Sequence, residues 1–162
     1  MTAPPPRAVL DTVVFIQALI SGRGPSAACF ERLRSGEFIL FMSDVLRAEI
    51  RGVALRAELV RKYPLLTDEK VDAFMREVEA LSANIPSPPS SFILPRDPKD
   101  EPLIDLAVAG NADFLVTWNE RHLTYLMKQD TPEGKEFVRR FPNLDIISPP
   151  QFLTHLNALR GS

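Results

Sequence analysis

The chain has 162 residues, enough for one domain with its own core. Hydrophobic residues make up 45% and charged residues 25%, the ordinary globular mix, which excludes a disordered or fibrous chain. The net charge of −2 argues against a protein that coats nucleic acid through an overall positive field, and no apolar run reaches the ~18–20 residues of a membrane span. The opening Met1-Thr2-Ala3-Pro4-Pro5-Pro6-Arg7 lacks the charged and apolar regions of a signal peptide. Cys29 is the only cysteine, so no internal disulfide is possible, and the composition fits a reducing compartment such as the cytoplasm.

Residues 1–7 read as a stiff, disordered lead-in because of Pro4 to Pro6. Residues 8–11 form a buried strand that ends on Asp11. Residues 13–21 are helical, and Gly22, Gly24 and Pro25 stop them. Ser26 caps a second helix with Phe30 and Leu33 inward, Gly36 ends it, and Cys29 within it reads as a buried, inert thiol. Phe38 to Met42 is a continuous apolar run, the mark of a strand covered on both faces. Ser43 is an N-cap, with Val45, Leu46 and Ile50 as the stripe of the helix it opens. Further helix is expected over 53–62.

Thr67 caps a helix whose apolar face is Val71, Phe74, Val78 and Leu81. The proline-rich stretch 86–95 is an ordered loop or a strand edge. Helix returns from Lys99, followed by a strand over Phe114 to Thr117. A short helix near 119–127 and a charged stretch over 128–140 come next. Leu144 to Ile147 is a last strand, and Ser148-Pro149-Pro150 opens a terminal helix. One domain spans 8–158, with 159–162 as a tail. Short apolar strands alternating with amphipathic helices predict an α/β domain with a mainly parallel central sheet. Such sheets bind ligands beyond the carboxyl ends of their strands.

Asp11 sits at such an end. A bare buried carboxylate costs several kcal/mol unless a cation or dense hydrogen bonding compensates it. Glu49 is three residues after Leu46, so it borders the inward face of its helix. It fits either the rim of a cleft or a solvated acid paired with Arg47 or Arg51. Asp100 and Glu101, in Asp97-Pro98-Lys99-Asp100-Glu101-Pro102, either complement a helix dipole or face Asp11 across the strand ends. Asn119 is an N-cap or a source of a carbonyl oxygen. His122 and His155 have no partner at metal spacing, which argues against a histidine-based zinc site. Converging carboxylates cannot all stay ionised without a cation, and hard oxygen ligands select Mg²⁺ or Mn²⁺. Such a site suits phosphodiester hydrolysis. No GxGxxG, P-loop or GxSxG motif competes with this reading.

Five segments, in order over about residues 8–158, carry a family likeness. They are Val9 to Leu19, Ser43 to Glu49, Asp97 to Ala107, Ala112 to Asn119 with His122-Leu123, and Ile147 to Leu153. The chain resembles PIN-domain proteins, in particular the VapC-like toxin components of toxin–antitoxin systems. The resemblance implies a three-layer α/β/α sandwich and a metal-dependent endoribonuclease. In it Asp11, Glu49 and Glu101, with Asp100 beside Glu101, hold Mg²⁺ or Mn²⁺. Asn119 falls where many members carry a fourth acid and joins Asp11, Glu49 and Glu101 in the catalytic set. Thr12 and Thr117 are candidate substrate contacts. A cognate antitoxin and a homodimer are the implied partners, besides RNA.

Val13 replaces an asparagine that usually follows Asp-Thr, Glu101 replaces an aspartate, and Asn119 replaces an acid. Val13 and Asn119 favour an alternative function: a weakened module that binds RNA or a protein without cleaving. Trp118 either stacks on a base or packs against the sheet edge. Arg47, Arg51, Arg56, Arg61 and Lys62 line an RNA path or form a solvated face.

Overall fold

The computed structural model describes residues 3–160. The remainder of the lead-in and the tail, residues 1–2 and 161–162, lies outside the described residues. Strand β1 runs Arg7–Leu10 and hands directly to helix α1, Thr12–Ile20, with Asp11 as the N-cap between them. Arg7, assigned above to the lead-in, is therefore the first residue of the sheet. Helix α2, Pro25–Arg34, starts on a proline at its first position after Gly24, whose φ of 97° suits glycine. Ser26 is not its cap: Ser26 is buried and its hydroxyl donates to Gln17 Oε1. Strand β2 is Ile39–Met42. Helix α3, Asp44–Ala54, is capped by Ser43, whose Oγ accepts from Leu46 N. The expected helix over 53–62 is split, because the chain turns at Leu55 and Arg56 before the short α4, Ala57–Lys62.

Helix α5, Asp68–Ala80, is capped by Thr67 as its sequence predicts. Strand β3, Ser82–Asn84, follows at once, and the proline-rich segment beyond it is irregular. A turn of 3₁₀ helix, Pro98–Asp100, leads into α6, Glu101–Ala109, and then β4, Phe114–Val116. The stretch after β4 is a turn and a 3₁₀ segment, Thr124–Lys128, rather than a regular helix. The charged stretch contains a full helix, α7, Pro132–Arg140, capped by Thr131. Strand β5, Asp145–Ile147, and helix α8, Pro149–Arg160, complete the chain. Helix α8 thus takes in residues 159 and 160 of the expected tail.

The five strands pair in the order β3-β2-β1-β4-β5, and every pairing is parallel. Register sets the faces. Val9 stands level with Leu115, and Ala8 with both Leu40 and Phe114. Strand alternation then puts Val9, Leu115 and Phe41 on one face, and Ala8, Leu10, Phe114 and Leu40 on the other. Helix α6 covers the first face, where Gly110 at its end lies so close to the Phe41 ring that a Cβ would sit 2.9 Å from it. Helix α8 covers the second face, its Phe152 ring edge-on to Phe114 and Phe38. Helices on both faces of one parallel sheet make a three-layer α/β/α sandwich. The fully buried Leu10, Leu40, Leu115 and Ile104 form the centre of its core.

No described helix alone is long and apolar enough to cross a membrane. Chain order runs outward from β1 through β2 to β3, then returns to β4 on the other side of β1. The crevice beyond the carboxyl ends of β1 and β4 is thus the point where the sheet's winding reverses, the general place for a ligand in an open parallel sheet.

Candidate active site

Two adjacent strands deliver the first pair of side chains. Strand β1 ends at Leu10 and β4 at Val116, which are in register, so Asp11 and Thr117 leave the sheet side by side. The Asp11 amide donates to Val116 O at 2.9 Å, which locks this relation. Asp11 is 9% exposed. Its carboxylate accepts from Thr117 Oγ1 at 2.6 Å and from Thr12 N at 2.6 Å. Burial pushes the Asp11 pKa above the ordinary carboxylate value; the two hydrogen bonds pull it down, and the charge of Glu49 adds to the rise. No lysine or arginine forms an ion pair with Asp11 among the described residues.

Helix α3 brings Glu49 to the same crevice, where Thr12 Oγ1 donates to Glu49 Oε2 at 2.6 Å. The neighbouring arginines are engaged elsewhere: Arg47 with Asp44 and Glu79, and Arg51 with Asp72. Glu49 therefore forms no ion pair with Arg47 or Arg51, which a solvated helix pair would require. Both threonine hydroxyl protons are committed to carboxylates, Thr12 to Glu49 and Thr117 to Asp11. In this state the threonines orient the acids rather than offer a donor to an incoming group.

The third acid comes from the 3₁₀ turn before α6. Asp100 is half-buried and its pKa is raised to about 7, first by burial and then by the charges of Asp11, Asp97 and Glu49. Asp100 thus senses both Asp11 and Glu49. Its neighbour Glu101 is turned differently: Glu101 Oε1 accepts from Leu94 N at 2.9 Å. One turn further along α6, Asp105 Oδ1 accepts from Ser91 N and Ser91 Oγ, both at 2.9 Å. Two acids four residues apart on one helix thus tether the proline-rich segment, supplying the backbone pairing its prolines cannot make.

Asn119 completes the ring through its amide. Asn119 Nδ2 donates to Asp100 Oδ2 at 3.1 Å, Asn119 N donates to Thr117 Oγ1 at 3.0 Å, and Asn119 Oδ1 accepts from His122 N at 3.1 Å. A continuous chain of hydrogen bonds therefore runs from Asp11 through Thr117 and Asn119 to Asp100. His122, expected above to have no partner at metal spacing, and Asp97, given no role of its own there, lie at its outer end. His122 Nδ1 is 3.1 Å from Asp97 Oδ2, and Asp97, Asp100 and His122 each place one ligand-type atom within 4.8 Å of the others. The available signal was the turn Asn119-x-x-His122, which carries the histidine back over the acidic loop. Beside Glu49 a groove of about 290 Å³ opens between Val45, Leu46, Lys99, Pro102 and Leu103. A larger cleft, about 410 Å³ between Arg7, Asp113 and Arg140, lies at the amino end of the sheet and gathers no set of carboxylates.

The sequence pattern of the PIN domain family matches residues 7–121, a stretch that begins at β1 and ends beyond Asn119. The chain belongs to the PIN domain family. PIN domains are in general metal-dependent nucleases, and every acid described above lies within the matched span. No curated protein and no solved structure matches the chain. The donor set of this PIN domain fits a hard divalent cation. Asp11, Glu49 and Asp100 accept hydrogen bonds from neutral donors, and the charges of Asp11 and Glu49 add to the burial that raises the Asp100 pKa. Among the described residues, the set of ligand atoms that lies close enough together to share one metal ion is that of Asp97, Asp100 and His122.

Proposed function

We propose that this PIN domain is a metal-dependent endoribonuclease that acts in the cytoplasm as the toxin of a toxin–antitoxin pair. The observation that carries the ribonuclease reading is the gathering of Asp11, Glu49 and Asp100 about one crevice with no ion pair to a lysine or arginine among the described residues. Asp11, Glu49 and Asp100 would hold Mg²⁺ or Mn²⁺, with Glu101 supporting Asp100 by fixing the loop that packs before it. When bound, the ion supplies charge neutralisation at the phosphate and a water of lowered pKa.

The chain's own side chains supply order. Thr117 and Thr12 hold Asp11 and Glu49 in place through short hydrogen bonds, so neither acid must be ordered when substrate arrives. Asn119 gives Asp100 a neutral donor where a fourth acid would add repulsion. Free of a cation, Asp100 keeps a proton on its carboxyl up to about pH 7 and is spared a third close negative charge. RNA is the substrate because the family likeness points to it. The antitoxin and a homodimer rest on the same likeness. The test of the reading is cleavage of single-stranded RNA with Mg²⁺ or Mn²⁺ by the wild type and by Asp11→Asn. Equal rates in the two would remove Asp11 from the site, and no cleavage with either metal would favour a module that binds without cutting.

A further inference from the structure

Trp118 is the only tryptophan in the chain, and it stands between two residues of the site. Thr117 before it holds Asp11, and Asn119 after it holds Asp100. Its side chain does not enter the core, and the residue is 40% exposed. So large a ring is mostly buried in globular proteins, so its exposure beside a candidate active site calls for a reason. The ring is also fixed. Trp118 Nε1 donates to Gln17 Oε1 at 2.8 Å, and the same oxygen accepts from the hydroxyl of buried Ser26 at 2.5 Å.

Gln17 lies on α1, the helix that Asp11 caps. Four residues before it on the same helix face is Val13, 48% exposed. The indole and Val13 thus border the crevice on the α1 side, next to Thr12. Gln17 is six positions after Asp11 along the helix, a rise of about 9 Å. That distance lies within reach of a nucleotide flanking one bound at the acids. Trp118 lines neither cleft described above, so it offers a face rather than a pocket.

The charge of the site sharpens the case. Free of a cation, Asp11 and Glu49 repel a phosphate, so an anchor independent of charge is what this rim needs. Stacking is such an anchor, and it accepts any base because every base has a π-face. A pinned ring loses little further rotamer freedom on binding. We propose that Trp118, held by Gln17 and edged by Val13, is the stacking platform for one unpaired base of single-stranded RNA flanking the scissile phosphate. The proposal rests on the ribonuclease reading. It gives Val13 a role of its own: an apolar side chain at the edge of a base, where an asparagine would present a polar one.

A lone tryptophan makes the test direct. The full chain in Ca²⁺ buffer is titrated with a short, fluorescein-labelled single-stranded RNA of mixed sequence. Tryptophan emission reports stacking, and anisotropy of an equal RNA reports total binding. An oligomer with the same backbone but abasic sugars is the control. The expected result is quenching by the base-bearing strand and none by the abasic one. Trp118→Ala should weaken RNA binding ~10-fold, since stacking on an aromatic side chain is worth ~1–3 kcal/mol per base. Trp118→Phe should recover part of that loss. The slope of affinity against salt should not change, because no phosphate contact is removed.

RNA that binds without altering the emission, or Trp118→Ala binding and cleaving as well as wild type, would overturn the proposal. It would leave the ribonuclease reading standing and the exposed ring to a protein partner. A wild type that neither binds nor cleaves RNA would overturn both.

Discussion

Replacing Asp100 with asparagine should stabilise the metal-free protein at alkaline pH. The sign follows from the direction of the shift. The folded protein holds the Asp100 proton up to about pH 7, against 3.8 for the free side chain, so the folded state binds that proton more tightly than the unfolded state. Below pH 3.8 both states carry it and nothing is lost. From there to about pH 7 stability declines, and above that the penalty is complete. At ~1.4 kcal/mol for each pH unit of the gap, the ceiling is ~4 kcal/mol. Asp100 is only half-buried, and solvent screening reduces this to ~1–2 kcal/mol. Asn119 Nδ2 still meets an acceptor after the substitution, because the new side chain keeps a carbonyl oxygen.

The assay is thermal unfolding in EDTA at pH 4 and pH 8. Each kcal/mol moves the midpoint of a domain of this size by ~2–4 °C. The variant should melt above the wild type at pH 8 and level with it at pH 4. Adding Mg²⁺ at pH 8 should raise the wild type far more than the variant, since a ligand that binds only the folded state stabilises it. A variant that melts at or below the wild type at pH 8, with an unchanged circular dichroism spectrum, would refute the raised pKa of Asp100 and the burial and like charges that cause it.

Other substitutions separate the roles of the neighbouring residues. Glu101→Gln keeps an oxygen for Leu94 N, so calorimetry should find divalent affinity reduced far less than in Asp100→Asn; the opposite order would make Glu101 the ligand. Asn119→Asp removes the donor to Asp100 and adds a charge. It should lower the metal-free melting temperature at pH 8 by several degrees, about 1–2 kcal/mol, while tightening Mn²⁺ binding by calorimetry. Burial pushes the Cys29 thiol up to about 12, so it should stay protonated and resist a thiol reagent at pH 8 until the chain is unfolded with urea.

Much of this architecture is legible in the residues, and the exceptions have physical causes. Strands β1, β2, β4 and β5 announce themselves as short apolar runs because both sheet faces are covered. Strand β3 does not: Ser82-Ala83-Asn84 is an edge strand, held by its register with Leu40 to Met42 rather than by apolar side chains of its own. Helix α7 hides in a charged stretch because only its Gly134 and Phe137 are buried, although Thr131 and Pro132 mark its start. In the site, Asp11 is legible from the cost of an acid at a strand end, and Glu49 from its place at the border of a helical stripe. Asp100 and Glu101 are adjacent in sequence. Spacing alone does not reveal which turns to the crevice, because that depends on where the 3₁₀ turn passes into α6. The pairing of Asp97 with His122 joins two loops distant in sequence, and no local pattern encodes it.

The central question is whether Asp11, Glu49 and Asp100, gathered beyond the carboxyl ends of β1 and β4, carry the chemistry. The direct measurement is the rate of single-stranded RNA cleavage in Mn²⁺ by purified wild type and Asp11→Asn, both shown to be folded and able to bind the RNA. The account predicts metal-dependent cleavage that EDTA abolishes and a loss in the variant of at least ~100-fold, the scale expected when a main electrostatic contributor is removed. Cleavage by the variant at the wild-type rate would contradict it.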